Sequence, residues 1–152
     1  GKEEGDTLVI AGMGGPLMEK ILTEGEETRK GFRELILQPQ SDIPHVRKFL
    51  FENGYHIVNE EMVLEEGKFY PLMKAVPGKA DREWTEEELE FGMFLLEKCH
   101  PVLRQYLERE LRIRKEILER LKDAPGASAG QRRQEVEEEK RKILTALRRY
   151  EG

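Results

Sequence analysis

Thr7-Leu8-Val9-Ile10-Ala11-Gly12-Met13-Gly14-Gly15-Pro16 is the stretch that decides the fold of this 152-residue chain. Its first half, Thr7 to Ala11, is a short apolar run typical of a β-strand. Glycines follow at once, and Pro16 suits the first position of a helix, where its missing N–H costs nothing. A strand that ends in glycines and opens a helix is where open α/β sheets bind ligands. The stretch therefore predicts an α/β fold with a ligand site at Gly12 to Gly15.

A second strand and a second helix follow this first pair. Glu34 to Pro39 is an apolar run bounded by turn signals, as in parallel strands that are covered on both faces. Ser41 or Asp42 can cap the next helix, and Asn53-Gly54 is a typical helix end. The two strand-helix pairs predict a parallel arrangement of the first two strands.

The chain then returns as a β-hairpin. Tyr55 to Leu64 and Phe69 to Val76 are strand-like runs, joined by a turn at Glu65 to Lys68. Because Pro71 lacks a ladder donor, we expect a bulge or a locally unpaired position there. The order β-α-β-α-β-β predicts two crossover units followed by a hairpin.

Everything after a boundary at Pro77 to Asp81 is predicted to be helical. Thr85 and Glu88 have the spacing of a capping box, and the helix that they open runs to His100-Pro101, where proline breaks it. Two longer helices follow at 102–122 and 131–150, separated by a flexible loop at 123–130. Apolar residues recur every three or four positions along both, which predicts an antiparallel helical hairpin. The predicted domains are residues 1–80 and 81–152.

Composition limits the functions open to the chain. Charged residues make up 38% of it, and no run of about 18 apolar residues occurs, so we expect no membrane span. Cys99 is the single cysteine and no secretion signal is visible, which together favour a cytoplasmic protein. His45, His56 and His100 lie on different elements without ligand spacing, so we expect no metal site.

Two known phosphate-binding patterns do not fit the glycine turn. A dinucleotide fingerprint requires a third glycine where this chain has Leu17, and an acidic residue where the next strand ends in Gln38. No Gly-Lys-Ser/Thr follows, which excludes a P-loop. Either the glycines form a tight turn that only packs, or together with Gln38 and Pro39 they form the floor of a site for a planar, hydrogen-bonding ligand. The sequence favours a core position for Tyr70 over a position in this pocket.

Several segments carry a resemblance to a known family. Thr7 to Gly15, Leu35 to Pro39, Glu52 to Gly54 and Glu66 to Tyr70 look like the bacterial tRNA adenine-22 N1-methyltransferase family (TrmK). Pro101 to Leu111 is similar to that family's C-terminal coiled-coil domain. The resemblance implies an α/β fold that is the C-terminal half of a class I, Rossmann-like methyltransferase sheet, followed by an all-α antiparallel coiled-coil domain.

The resemblance also implies a reaction. The methyl donor would be S-adenosyl-L-methionine and the acceptor N1 of an adenine in tRNA. Residues 1–6 resemble the loop before the family's fourth strand, so the family's donor loop would lie upstream. In the intact protein Gly12 and Met13 would contact the donor, but we do not expect this chain alone to bind it. The target-adenine side of the pocket is expected at Ala11, Gly12, Met13, Gly14, Gly15, Gln38 and Pro39.

Basic residues are concentrated in the helical part. Residues 101–152 carry a net positive charge, whereas residues 1–100 are net negative. The residues alone favour a solvated helix face with ion pairs such as Glu110–Arg114. The resemblance instead favours contact with the tRNA backbone through charge and shape. The expected tRNA-binding residues are Arg104, Arg112, Arg114, Lys115, Arg132, Arg133, Lys140 and Arg141.

Two alternative functions stay open. The chain could be a non-catalytic RNA- or partner-binding module, or a fragment that complements a separate N-terminal half. The Thr7–Ala11 strand would lie where further strands pair in such sheets, which leaves an apolar edge open to association. We therefore expect this edge to pair with another chain or to be covered.

Overall fold

The computed structural model describes residues 6–152, so the loop expected at residues 1–6 lies, apart from Asp6, outside the described residues. The described residues form four strands and seven helices, followed by a short 3-10 turn at Arg148–Tyr150. In chain order the elements are β1 (Thr7–Met13), α1 (Gly15–Glu24), α2 (Glu26–Arg29), β2 (Glu34–Pro39), α3 (Ile43–Glu52), β3 (Tyr55–Glu65), β4 (Lys68–Pro77), α4 (Glu86–Phe91), α5 (Met93–Glu97), α6 (Pro101–Leu121) and α7 (Ala127–Leu147).

The strands form one mixed sheet in the order β1-β2-β4-β3. β1 and β2 are parallel, with Val9 opposite Ile36, while β4 runs antiparallel to both β2 and β3. The predicted α/β fold is confirmed, with its two crossover units and its terminal hairpin. Within the described residues β1 pairs only with β2, so it is an edge strand.

Alternation along the strands decides which face of the sheet is buried. Leu35 and Leu37 of β2 are fully buried, and Ile10 of β1 and Met73 of β4 share their face. Helices α1 and α3 supply the other core residues on this face, namely Met18, Leu22, Val46 and Leu50. We call the opposite side the open face; it carries Thr7, Val9, Ala11, Glu34, Ile36, Gln38, Tyr70, Leu72 and Lys74.

The bulge in the hairpin is at Val58 and not at Pro71, so the first of the two alternatives predicted for Pro71 was wrong, whereas the second, a locally unpaired position, holds on the side of β4 that faces β2. The register shifts between Ile57 and Asn59, whereas Pro71 pairs in register with Met62. The reason is that β2 pairs with β4 only at Met73 to Ala75. Pro71 lies beyond the end of this pairing, where β4 has a single neighbour and can lack a donor on its other side.

Helices α4 and α5 replace the single helix predicted from Thr85 to His100. The capping box is present: Glu88 N donates to Thr85 Oγ1 at 3.2 Å, and Thr85 N donates to Glu88 Oε1 at 2.8 Å. The break falls at Gly92, whose φ of +97° favours glycine. A Cβ there would lie 2.8 Å from Glu60 Oε1 and 2.9 Å from Arg47 Nη2. A contact with residues so far away in sequence gives no local signal.

The chain divides into two compact units, one ending at Glu97 and the other spanning residues 98–152. The second unit is an antiparallel pair, α6 and α7, whose buried side chains are Leu103, Leu107, Val136, Ile143 and Ala146. The predicted loop at 123–130 is shorter than expected, because α7 already begins at Ala127. Tyr150 Oη donates to His100 O at 2.8 Å, and burial raises the pKa of Tyr150 to about 12.

Candidate functional site

The glycine turn begins inside the last part of β1. The register between β1 and β2 shifts between Ala11 and Met13, so Gly12 is an extra residue in the ladder. Gly12 has a φ of +76°, and a Cβ there would meet nothing within 4 Å. Ala11 and Gly12 are both exposed. The main chain at the end of β1 is therefore accessible, and only glycine takes this backbone conformation without strain at the bulge.

Gly14 and Gly15 have a different role from Gly12. A Cβ on Gly14 would lie 2.7 Å from Ser41 Oγ, and one on Gly15 would lie 2.5 Å from Ser41 O and 2.9 Å from Val46 Cγ2. Gly15 N donates to Ser41 O at 3.1 Å. These two glycines let the loop after β2 pack against the start of α1, which is the packing role that the sequence left open for the whole turn.

The predicted pocket residues differ in accessibility. Gln38 is partly exposed on the open face, opposite Ala11, but Pro39 is buried. Met13 O already accepts a hydrogen bond from Gln40 N at 2.8 Å. The structure thus brings Ala11, Gly12 and Gln38 together as accessible groups. It leaves Pro39 and Gly15 as buried support beneath them.

Three features near this edge escaped the sequence reasoning. Asp42, the residue before α3, has a φ of +50°, a left-handed conformation that Asp tolerates better than most residues. Glu19 of α1 and His45 of α3 are joined by a hydrogen bond of 2.7 Å, which raises the pKa of His45. The third is Tyr70: it is not in the core but is partly exposed on the open face, because buried Pro71 and Met73 take the other side of β4.

Most of the basic residues predicted to bind tRNA have partners within the helical unit. The Glu110–Arg114 ion pair expected from spacing is present at 2.7 Å, and Arg114 also reaches Glu139 at 3.1 Å. Arg133 Nη2 donates to Leu121 O at 2.7 Å, so it caps the end of α6. The remaining pairs are Arg104–Glu108, Arg132–Glu135 and Arg141–Glu138.

Two lysines differ from these arginines. Lys115 of α6 and Lys140 of α7 form no ion pair among the residues that the structure describes. They line the same shallow groove between the two helices, together with Leu118, Glu119, Lys122, Arg133 and Glu137. A neighbouring depression shares Arg133, Glu137 and Lys140 and adds the paired Glu138 and Arg141. This surface, which we call the hairpin groove, is more basic than acidic. Arg112 is exposed outside it.

Residues 6–152 contain neither a cluster of metal ligands nor a membrane-spanning helix. No group of three or more His, Cys, Asp or Glu side chains is placed there to hold a metal ion. In the same part of the chain no helix has the length and apolar character needed to cross a bilayer. Cys99 is exposed and is not part of a disulfide.

Comparison with known proteins identifies a family. The family model described as tRNA (adenine(22)-N(1))-methyltransferase, TrmK, matches residues 1–148. A Bacillus subtilis tRNA (adenine(22)-N(1))-methyltransferase is 33% identical to the chain over 141 residues, which are 90% of this chain and 58% of that protein.

Solved structures have the same fold. An uncharacterized Listeria monocytogenes protein superposes with a TM-score of 0.85 at 30% identity, over 93% of this chain and 63% of that one. A Streptococcus pneumoniae protein in complex with S-adenosyl-L-methionine gives a TM-score of 0.76 at 30% identity, over 93% of this chain and 60% of that one. The chain therefore spans about three-fifths of the length of these relatives.

Proposed function

The chain belongs to the tRNA (adenine(22)-N(1))-methyltransferase family, TrmK, and from this premise we propose that it forms part of an enzyme that methylates N1 of an adenine in tRNA. The methyl donor is S-adenosyl-L-methionine, which supplies a methyl group on a positively charged sulfur. The observation that carries the proposal is the family match over residues 1–148, which includes the accessible strand end at Ala11 and Gly12. The compartment is the cytoplasm.

The chemistry asks little of the protein beyond positioning. Adenine N1 has a free lone pair at neutral pH, so its attack on a sulfonium methyl group needs no general base. Catalysis then rests on holding N1 in line with the methyl group and on excluding water. An adenine in a folded tRNA must be unstacked to reach such a pocket.

In this proposal the end of β1 holds the adenine. Its exocyclic N6 amino group donates to main-chain carbonyls at Ala11 and Gly12, which lie at the exposed end of the strand. The Met13 carbonyl contributes less, because it already accepts from Gln40 N. Gln38 lies opposite Ala11 and adds an amide that can hydrogen-bond to the base.

The fit of the donor to the described residues is partial. Gly12 offers an open approach to the main chain, which suits contact near the methyl group. Gly12 and Met13 would contact the donor there. We expect calorimetry to detect no S-adenosyl-L-methionine binding by this chain alone. Tight binding by the chain alone would overturn the proposal that most of the donor contacts come from a part of the protein outside this chain.

The decisive experiment uses the Bacillus subtilis relative as a host. A chimera in which this chain replaces the matched region should form 1-methyladenosine in unmodified tRNA, measured by mass spectrometry of the digested RNA. Ala11→Leu fills the accessible strand end and should lower kcat/KM on the order of a hundredfold, as expected for a misplaced reacting group. Val9→Leu is the control, because Val9 is 62% exposed on the same face of the same strand.

The outcomes separate two claims. A chimera that binds donor and tRNA but forms no 1-methyladenosine would overturn the proposed function. A chimera whose Ala11→Leu variant is as active as the Val9→Leu control would overturn the location of the adenine pocket alone.

For the helical unit the proposal is that the hairpin groove contacts the tRNA backbone. Lys115 and Lys140 carry this proposal because the arginines around them are already paired. Replacing both lysines with Gln should weaken tRNA binding and reduce the slope of log affinity against log salt by about one per lost phosphate contact. Arg120→Gln, on the exposed side of α6, is the control. Equal slopes for all variants would contradict the proposal.

A further inference from the structure

Tyr70 occupies an unusual place on the sheet. It lies near the start of β4, on the open face, with Val63 of β3 opposite it. Because β4 runs antiparallel to β2, the start of β4 lies at the same end of the sheet as the carboxyl ends of β1 and β2. Tyr70 is thus an aromatic side chain near the glycine turn, and it is only partly buried.

The strand register indicates how near it lies. The pairing of β2 with β4 ends at Leu37 and Met73, and one further step in the same register would bring Leu72 level with Gln38. Tyr70 is two residues further on, about 7 Å along the strand, and points to the same face. Ala11 is the partner of Gln38 on the other side. Ala11, Gln38, Leu72 and Tyr70 therefore follow one another across the open face at the end of the sheet.

The three other tyrosines have structural duties that Tyr70 lacks. Tyr55 is 5% exposed, and the Arg29 guanidinium lies 5.4 Å from its ring centre. Tyr150 donates its hydroxyl to His100 O, and the Tyr106 ring lies beneath the Arg109 guanidinium. Val63, which faces Tyr70 across the hairpin, is 38% exposed, so this part of the hairpin presents apolar surface to solvent.

We propose that Tyr70 is the platform on which the target adenine stacks when it leaves the tRNA helix. The inference rests on the proposed function, because it places an unstacked base against the accessible end of β1. An aromatic ring supplies a face for any base, while the main chain at Ala11 and Gly12 and the amide of Gln38 meet its hydrogen-bonding edge. Tyr70 and the strand end thus divide the recognition of the base between stacking and hydrogen bonding.

The first test uses the chain as it is, with adenosine as the probe. Four tyrosines give four sets of ring resonances in a tyrosine-labelled sample, and Tyr70→Phe identifies the set that belongs to Tyr70. Adenosine should shift the Tyr70 ring signals upfield and leave those of Tyr55, Tyr106 and Tyr150 in place. Uridine, which stacks less well, should shift them less. Unmoved Tyr70 signals, or equal shifts at all four rings, would overturn the inference.

The second test uses the methyltransferase chimera. Tyr70→Ala should lower kcat/KM for tRNA at least about fivefold, the lower end of what losing one base–aromatic stack costs. Tyr70→Phe should restore it to within about twofold, because the stacking ring is kept. Val63→Ala is the matched control, since it removes apolar surface from the same site without removing a ring.

The two tests fail independently of the proposed function. If the unaltered chimera forms no 1-methyladenosine but adenosine still shifts the Tyr70 signals, the methyl-transfer proposal fails and base stacking stands. If the chimera is active and Tyr70→Ala matches Val63→Ala, only the role of Tyr70 is overturned.

Discussion

Among the described residues, the ion pair between Arg47 of α3 and Glu60 of β3 is the most deeply buried charge interaction, and removing one partner should be strongly destabilising. Arg47 Nε donates to Glu60 Oε2 at 2.8 Å, and the two side chains are only 2% and 1% exposed. Arg47 Nη1 also donates to Leu89 O at 2.7 Å, and Glu60 Oε1 accepts from Phe94 N at 3.2 Å. The pair therefore joins α3 and β3 to the break between α4 and α5.

The expected magnitude follows from this burial. Arg47→Met leaves the Glu60 carboxylate buried without its guanidinium partner and removes the donor to the Leu89 and Glu90 carbonyls, so it should cost about 3–5 kcal/mol of the free energy of unfolding. Removing both charges, with Arg47→Met and Glu60→Leu together, leaves no unpaired charge. The double variant should therefore lose about 2 kcal/mol or more less than the sum of the two single variants.

Urea unfolding followed by tryptophan fluorescence measures the free energy of unfolding of the compact unit that ends at Glu97, because the tryptophan lies in that unit. Trp84 is the single tryptophan of the chain and packs against Phe51 and Phe94, with ring centres 5.1 and 6.0 Å apart. The control is Lys74→Met, because the Lys74–Glu34 pair lies on the open face with side chains 42% and 28% exposed. That change should cost about 1 kcal/mol or less. An Arg47→Met variant no less stable than Lys74→Met would refute the reasoning.

Three further predictions concern the ionisation of Glu88, the ionisation of His45 and the exposed edge of β1. The hydrogen bond from Arg82 is the main reason that the pKa of Glu88 falls from 4.5 to about 2. The resulting stability is present above pH 4.5 and is lost as pH falls toward 2, so Glu88→Gln should flatten the acid side of a urea-unfolding series. Glu19 raises the pKa of His45 above 6.5, so its contribution is present below pH 6.5 and lost as pH rises; His45→Gln should flatten the series between pH 6 and 8. Val9→Lys on the β1 edge should reduce concentration-dependent association in sedimentation experiments.

Each of these has a distinct opposing result. If the unfolding free energy of Glu88→Gln falls between pH 5 and 3 as steeply as that of the wild type, Glu88 is not the source of the stability lost in acid. An unchanged slope in His45→Gln near neutral pH would show that the exposed pair contributes nothing measurable. A wild-type chain that stays monomeric at high concentration would contradict pairing through β1.

Local patterns predicted the elements well where the deciding contacts are local. The apolar run of β2, the capping box at Thr85 and the seams of the helical hairpin are short-range signals, and each appears in the structure. Coverage of β2 on both faces was expected, but β2 is fully buried on one face only, and Ile36 and Gln38 are partly exposed on the open face. The helix break at Gly92 was missed because its cause is the Arg47–Glu60 pair, which comes from two other elements. A glycine within an apolar helical pattern does not show whether a distant charged pair lies against it.

The same limit applies to the site. The sequence located the accessible strand end but assigned Tyr70 to the core. A tyrosine within an apolar run can lie on either face of a strand, and its residue type does not indicate which. Alternation along β4 decides that face: β4 has no bulge between Tyr70 and Met73, so Tyr70 lies on the side opposite to buried Pro71 and Met73. A bulge at Pro71, which the sequence allowed, would have reversed the face of Tyr70.

The glycine turn needs glycine for two separate reasons: Gly12 keeps the main chain accessible, whereas Gly14 and Gly15 allow close packing against the loop after β2. A test of its function must distinguish these two roles. A Cβ on Gly14 would lie 2.7 Å from Ser41 Oγ, which accepts a hydrogen bond from Gly15 N at 3.2 Å. A side chain at Gly14 would therefore turn the Ser41 hydroxyl away and break a hydrogen bond that holds the loop after β2. A loss of activity in Gly14→Val could then arise from a displaced loop without any contact to substrate. Ala11 does not pack against the loop in this way, since it is exposed and already carries a Cβ within the strand. Activity that is lost in Ala11→Leu with unchanged unfolding free energy can therefore be attributed to the pocket, whereas the same loss in Gly14→Val cannot.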